Sequence, residues 1–314
     1  MILSRAVSLV PAFCLSSLLS AFLLFAPGLA GPASAQQIPL DAGALTRPLP
    51  KAGPAARARG DARAPLLAAC PIGLGPNVLE GPLPALARRI ARGGVIRIVT
   101  IGSSSTEGAG ATSMRFNYPS QLAVELLHRL PGREIEVINT GVGGQVIGQM
   151  IERFERDVLA HRPDLVIWQF GSNAAIRRKS LDGVEDRVRN GVARIRATGA
   201  DLILMDLQRV PMIEEAPLKA QMLDLIRSVA RSTGTAVFRR YDLMKAWDAA
   251  LGADYPKMFA PDRLHMNDFS YLCMAADMAA AIQTTATTDA PSPPRSVRGA
   301  ESEIPRRIPE VSRR

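Results

Sequence analysis

Two spacings of apolar residues alternate along the chain. Nearly continuous apolar runs stand at Val95–Ile101, Glu134–Asn139, Asp164–Phe170, Asp201–Leu207 and Ala236–Tyr241. They read as strands covered on both faces, as in parallel sheets. Between them, apolar residues return every three or four positions, the spacing of a helix with one buried face. These predicted helices cover Val78–Arg92, Pro119–Leu130, Gln145–His161, Leu181–Thr198 and Glu214–Ser232. A short one follows near Met244–Leu251, and an apolar one closes the series at Ser270–Ile282, with Asn267 or Asp268 as N-cap. The βαβα order predicts an α/β fold: a doubly wound three-layer α/β/α sandwich on a parallel five-stranded sheet.

The ends of the chain lack this periodicity. Residues 1–35 read as an export signal: Arg5 precedes an apolar run densest at Leu15–Phe25, and Ala33-Ser34-Ala35 forms a small-residue cleavage site before Gln36. Pro11 and Pro27 speak against an uncleaved anchor. Residues 36–76, rich in Pro, Ala, Gly and Arg, read as a flexible linker. The folded domain is expected over 77–284, followed by an unstructured basic tail at 285–314. The expected location is outside the cytoplasm, periplasmic or secreted.

At 47% hydrophobic residues, 314 residues suffice for one sizeable core. The net charge is +9. Much of it lies in the flanks, from Arg47, Lys51 and Arg57 at one end to Arg306, Arg307, Arg313 and Arg314 at the other. No basic stripe interleaved with aromatics crosses the middle, so the charge points to solvated tails touching anionic envelope surfaces rather than to nucleic acid. Of three cysteines, Cys14 lies in the signal. Cys70 and Cys273 are open to either reading, one disulfide or two free thiols.

The candidate chemistry lies where the strands end. Val95–Ile101 runs into Gly102-Ser103-Ser104-Ser105-Thr106. The next strands are followed by Gly141-Val142-Gly143-Gly144 and by Gly171-Ser172-Asn173, and Pro261-Asp262-Arg263-Leu264-His265 lies beyond the fifth. All fall on one sheet edge, where open α/β sheets bind their ligands. Phosphate-loop readings fail. Gly102 and Gly108 are one residue too far apart for a P-loop, Ala109 stands where the lysine belongs, and Ser104 breaks a G-x-G-x-x-G pattern. A nucleophilic serine fits better. A hydroxyl needs a base to take its proton, and an imidazole does this best when a carboxylate fixes its tautomer. His265, three residues after Asp262, meets that need. The other histidines, His128 and His161, sit near helix C-termini, where the helix dipole favours them.

These blocks, taken in order, resemble the SGNH (GDSL-type) hydrolases over roughly residues 93–284. IGSSSTEG resembles the first block, N-T-G-V-G-G (Asn139–Gly144) the second, G-S-N (Gly171–Asn173) the third, and D-R-L-H (Asp262–His265) the last. The resemblance implies a flavodoxin-like sandwich with Ser104 as nucleophile, His265 as general base and Asp262 as its orienting acid. The oxyanion hole would comprise the N–H groups of Ser104 and Gly144 and the side-chain amide of Asn173. Two positions depart from the family pattern, Ser103 and Ala174, each standing where an aspartate is usual.

The expected function is an exported serine esterase working through an acyl-enzyme, with short acyl groups on a small-molecule or carbohydrate ester as substrate. No cofactor is implied, and no metal-ligand spacing is visible. The alternatives are an O-acyltransferase of envelope polysaccharide using the same residues and a non-catalytic envelope-binding module. Trp168, Gln169 and Met212 are candidates to line an acyl pocket, weighed against core packing for Trp168 and loop cover for Met212.

Overall fold

A computed structural model of the chain describes residues 63–71, 73–177 and 180–289. The expected export signal and most of the expected tail lie outside them. Six strands form one sheet: β1 (Leu79–Glu80), β2 (Val95–Ile101), β3 (Glu134–Asn139), β4 (Leu165–Gln169), β5 (Asp201–Met205) and β6 (Ala236–Phe238). Their order is β1-β6-β5-β4-β2-β3, and only the β1–β6 pairing is antiparallel.

The helices are α1 (Ala64–Ala68), α2 (Pro84–Arg92), α3 (Ser104–Glu107), α4 (Tyr118–Arg129), α5 (Ile147–Glu152), α6 (Phe154–Asp157) and α7 (Ser172–Arg177). They continue with α8 (Val184–Arg196), α9 (Pro211–Glu214), α10 (Lys219–Thr233), α11 (Arg240–Leu251) and α12 (Asp268–Thr288). From β2 the chain runs outward through α4 to β3. It then doubles back past β2 and continues β4, β5, β6 in one direction. Right-handed crossovers therefore put α4 on one face and α5, α8 and α10 on the other. α2 and α12 pack on the α4 side. Strand order reverses at β2, which makes its carboxyl end the switch point of the sheet.

The largely apolar strands are buried on both faces: Ile96, Ile98, Val99 and Ile101 of β2 and every residue of β4, Gln169 included, are solvent-excluded. Arg97 pairs with Glu136 on neighbouring β3 at 3.0 Å. Trp168 belongs to the core, edge-on to Phe154 (centroids 4.9 Å apart), while Met212 is exposed.

Several expected elements differ in extent, for reasons written in the chain. The expected helix Val78–Arg92 begins only at Pro84. Pro82 and Pro84 disfavour helical backbone at Gly81 and Leu83, and Leu79–Glu80 ahead of them adds a sixth strand, pairing with Phe238 and Val237. The expected helix Glu214–Ser232 splits into α9 and α10 around Pro217, which disfavours helical backbone at Ala216. Gln145–His161 breaks at Arg153 and Val158 into two short helices and a 3-10 turn. The last helix is longer than expected. It starts from Asn267, whose side chain accepts from Ser270 N–H at 3.1 Å, and runs to Thr288.

The expected linker is ordered where it is described. α1 lies within it, and Cys70 forms a disulfide with Cys273 in the second turn of α12, with Cα atoms 5.5 Å apart. The bond ties the segment ahead of the sheet to the helix that follows the His265 loop.

Asp277, one turn beyond Cys273, has its Oδ2 against Gly73. Burial pushes its carboxyl up to about 6, only partly offset by the Arg129 charge. Because the folded pKa is raised, this contribution to stability is complete below the ordinary value of 3.8 and is lost as pH rises through about 6. Asp277→Asn is neutral throughout. Between pH 4 and pH 8 the unfolding free energy of the wild type should therefore fall by about 1–3 kcal/mol relative to the variant. Urea titrations of both proteins check this; parallel pH profiles would contradict it.

Candidate active site

At the switch point the chain must turn sharply from β2 into α3. Gly102 makes the turn, because a Cβ there would come within 2.1 Å of Thr106 Oγ1. Ser103 is extended, and its carbonyl accepts from the N–H groups of Thr106 and Glu107 to start α3. Of the three serines, Ser103 and Ser105 are buried, at 3% exposure each, while Ser104 is half-buried at the helix N-terminus. The burial pattern thus presents one serine to solvent.

Ser104 Oγ lies 2.7 Å from His265 Nε2. His265 Nδ1 lies 2.6 Å from Asp262 Oδ2. The other oxygen of Asp262 accepts from the backbone N–H groups of Leu264 and His265, both at 2.9 Å. This compact loop needs Arg263 in the left-handed region, φ 56, a conformation that costs a bulky L-residue about 1–2 kcal/mol. Burial raises the Asp262 carboxyl, but the His265 hydrogen bond, the two N–H groups and the imidazole charge outweigh it, leaving Asp262 below its ordinary value. The structure thus brings together Ser104, His265 and Asp262. A carboxylate holds the imidazole at one nitrogen, and the other nitrogen faces the hydroxyl.

Gly144 and Asn173 meet at one guanidinium. Arg177 donates to Asn173 Oδ1 at 2.6 Å and to the Gly144 carbonyl at 3.2 Å. Asn173 Nδ2 gives one hydrogen to the Gln145 carbonyl at 3.0 Å, and an amide nitrogen carries two. The glycine-rich loop reaches the nucleophile turn because Gly141 carries no Cβ; one there would strike the Glu107 backbone N at 2.1 Å.

Several residues that build this arrangement have no part in the predicted site, and Gln169 is expected there only as a candidate pocket wall. Gln169, fully buried at the end of β4, accepts from Ser103 N–H (2.9 Å), Ser103 Oγ (3.2 Å) and Thr106 Oγ1 (3.1 Å). It is a scaffold for the turn, not an exposed pocket wall. Arg153, nearly buried, donates to Thr140 O (2.6 Å), Gly102 O (3.3 Å) and Gln145 Oε1 (2.8 Å), binding the first and second loops together. Asp157 pairs with it at 2.9 Å. Beneath α7, Ser172 Oγ donates to Gln208 Oε1 (2.7 Å), which also accepts from the fully buried Arg240 (2.8 Å). Burial lowers Arg240 to about 10, against the opposing charge of Asp206; burial pushes Asp206 itself up to about 7. The available signal was polarity where the chain should be apolar: Gln169 closes buried β4, and the buried Gln208 lies three residues after β5.

Comparison with known proteins gives the family. Residues 69–288 match the model of the Non-GDSL lipase-like family. An acetylxylan esterase of Geobacillus stearothermophilus is 24% identical over 192 residues, 57% of this chain and 86% of that protein. An arylesterase of Vibrio mimicus is 26% identical over 115 residues, 37% of this chain and 56% of that protein. Among solved structures, a two-domain esterase active on acetylated mannans superposes with a TM-score of 0.56 at 20% identity, covering 66% of this chain. The chain spans 55% of that protein's length. The fold and these relatives define a GDSL-like hydrolase of ester bonds. The chain belongs to the Non-GDSL lipase-like family.

Replacing Gln169 by Leu would leave the Ser103 N–H and hydroxyl buried without their acceptor, while Thr106 Oγ1 keeps Tyr118 Oη at 3.2 Å. Unfolding in urea should show a loss of about 2–4 kcal/mol. Gln169→Glu, which keeps the oxygen, should lose less; equal losses would contradict the acceptor role.

Proposed function

We propose that this chain is an exported SGNH-type serine esterase that removes short acyl groups, acetyl foremost, from carbohydrate hydroxyls. The observation that carries the reading is the continuous hydrogen-bonded path from Asp262 through His265 to Ser104, at 2.6 and 2.7 Å. His265 Nε2 takes the Ser104 proton as Oγ attacks the acyl carbon. The carbonyl oxygen becomes an oxyanion facing the N–H groups of Ser104 and Gly144 and the free hydrogen of Asn173 Nδ2. The imidazolium, held by ionised Asp262, returns its proton to the departing sugar hydroxyl, leaving an acyl-Ser104 ester. Water, activated by the same imidazole, then attacks that ester and releases the carboxylic acid.

Substrate class rests on the relatives, whose names include an esterase of acetylxylan and one active on acetylated mannans. Export rests on the leader at 1–35 and is supported by the Cys70–Cys273 bond, since disulfides persist in oxidising compartments.

With p-nitrophenyl acetate and acetylated xylo-oligosaccharides, the mature chain should release acetate. Ser104→Ala should lose at least about a thousandfold in kcat/KM, and Asp262→Asn about ten-thousandfold in kcat. A fully active Ser104→Ala protein would overturn the nucleophile. Acetyl groups appearing on a second glycan rather than as free acetate would replace hydrolysis by transfer.

A further inference from the structure

We propose that Arg177 is the positioning residue of the oxyanion hole, fixing Asn173 and Gly144 together in the orientation that receives developing negative charge. The inference rests on the esterase reading. An asparagine amide has nearly the same shape after a half-turn about its last bond, yet the two orientations are chemically opposite. One offers N–H to an oxyanion; the other offers a carbonyl oxygen that repels it. Two partners select the first orientation here. Arg177 can only donate, so it demands Oδ1; the Gln145 carbonyl can only accept, so it demands Nδ2. The second Nδ2 hydrogen is thereby directed away from both.

The same guanidinium holds Gly144. Its second arm donates to the Gly144 carbonyl, pinning a residue whose φ of 76 is one that glycine leaves without strain. A planar fork with two arms suits this pairing, and an ammonium on a flexible stem does not. Sequence context gives the position a reason. Ala174, 2% exposed, stands where the family pattern carries an aspartate beside the asparagine. Arg177 lies one helical turn after Asn173 on α7, the spacing at which side chains meet. Support for the amide thus comes from the following turn.

The test compares steady-state hydrolysis of p-nitrophenyl acetate by wild type, Arg177→Ala, Arg177→Lys, Asn173→Ala and the double variant. Arg177→Ala should lower kcat about 10- to 100-fold with KM changed less than about twofold, the pattern of a lost transition-state interaction. Arg177→Lys should recover only part of that loss. Added guanidinium ion, well below denaturing concentration, should partly rescue Arg177→Ala and leave wild type unaffected. The double variant should lose less than the product of the two single losses, because Arg177 acts in part through Asn173 and keeps only its hold on Gly144 when that amide is gone. Wild-type kcat in Arg177→Ala overturns the proposal, and so do losses that multiply in the double variant. Full activity in Asn173→Ala, with Ser104→Ala inactive, overturns it by removing the oxyanion role of the amide while leaving the nucleophile intact.

Discussion

One buried side-chain oxygen holds the turn from which the chemistry is offered. Gln169 Oε1, at the end of β4, accepts hydrogen bonds from Ser103 N–H, Ser103 Oγ and Thr106 Oγ1 across the gap to β2. The turn after β2 cannot be stabilised by sheet pairing, because the strand has ended, nor by water, because Ser103 and Thr106 are buried. Without that acceptor, buried polar groups would be left unpaired, each at about 1–3 kcal/mol. With it, Ser103 and Thr106 are held inward and Ser104 is left half-buried at the start of α3. The position left by the family's usual first-block aspartate is filled in part by Ser103 Oγ, which bonds to the same oxygen.

From this point outward, loops with little structure of their own are fixed by cations reaching backbone carbonyls. Arg153 joins the carbonyls of Gly102 and Thr140, and Arg177 joins Gly144 to Asn173. Loop carbonyls at strand ends have no ladder partner, so each needs a donor. Arginine supplies several donors in a fixed plane, which gives geometry as well as charge compensation. The His265 loop is closed differently, by Asp262 accepting from its own backbone, and Thr112 ties the loop after the nucleophile to Asp268 at the start of α12. The disulfide secures that helix further along, at Cys273. Ser104 and His265 thus sit on separate loops, which the Thr112–Asp268 and Tyr271–Ala109 hydrogen bonds tie together.

Much of this was legible in the sequence because it depends on local rules. The β2, β4 and β5 runs are apolar on both faces, and such runs have few alternatives to a buried parallel strand. Glycine and small polar residues after each strand marked the reactive edge, and the Asp262–His265 spacing permits contact within one turn. What escaped depends on long-range pairing or on a single proline. The two-residue β1 has no periodicity to detect, and Pro217 cuts a helix whose apolar spacing runs through it. Gln169, Arg153 and Arg177 act through partners tens of residues away or through backbone atoms, which a linear pattern does not display. The Cys70–Cys273 pairing could not be chosen from spacing alone.

In the proposed mechanism Ser104, and neither neighbouring serine, becomes acylated. The most direct measurement mixes the protein with an activated acetate ester, quenches in acid within a turnover, and maps the acetyl group by peptide mass spectrometry with fragmentation. One acetyl group is expected on Ser104, absent from the His265→Ala protein over the same interval. An acetyl group on Ser103 or Ser105, or ester turnover with no acetylated serine in a quench shown to preserve such esters, would contradict this mechanism.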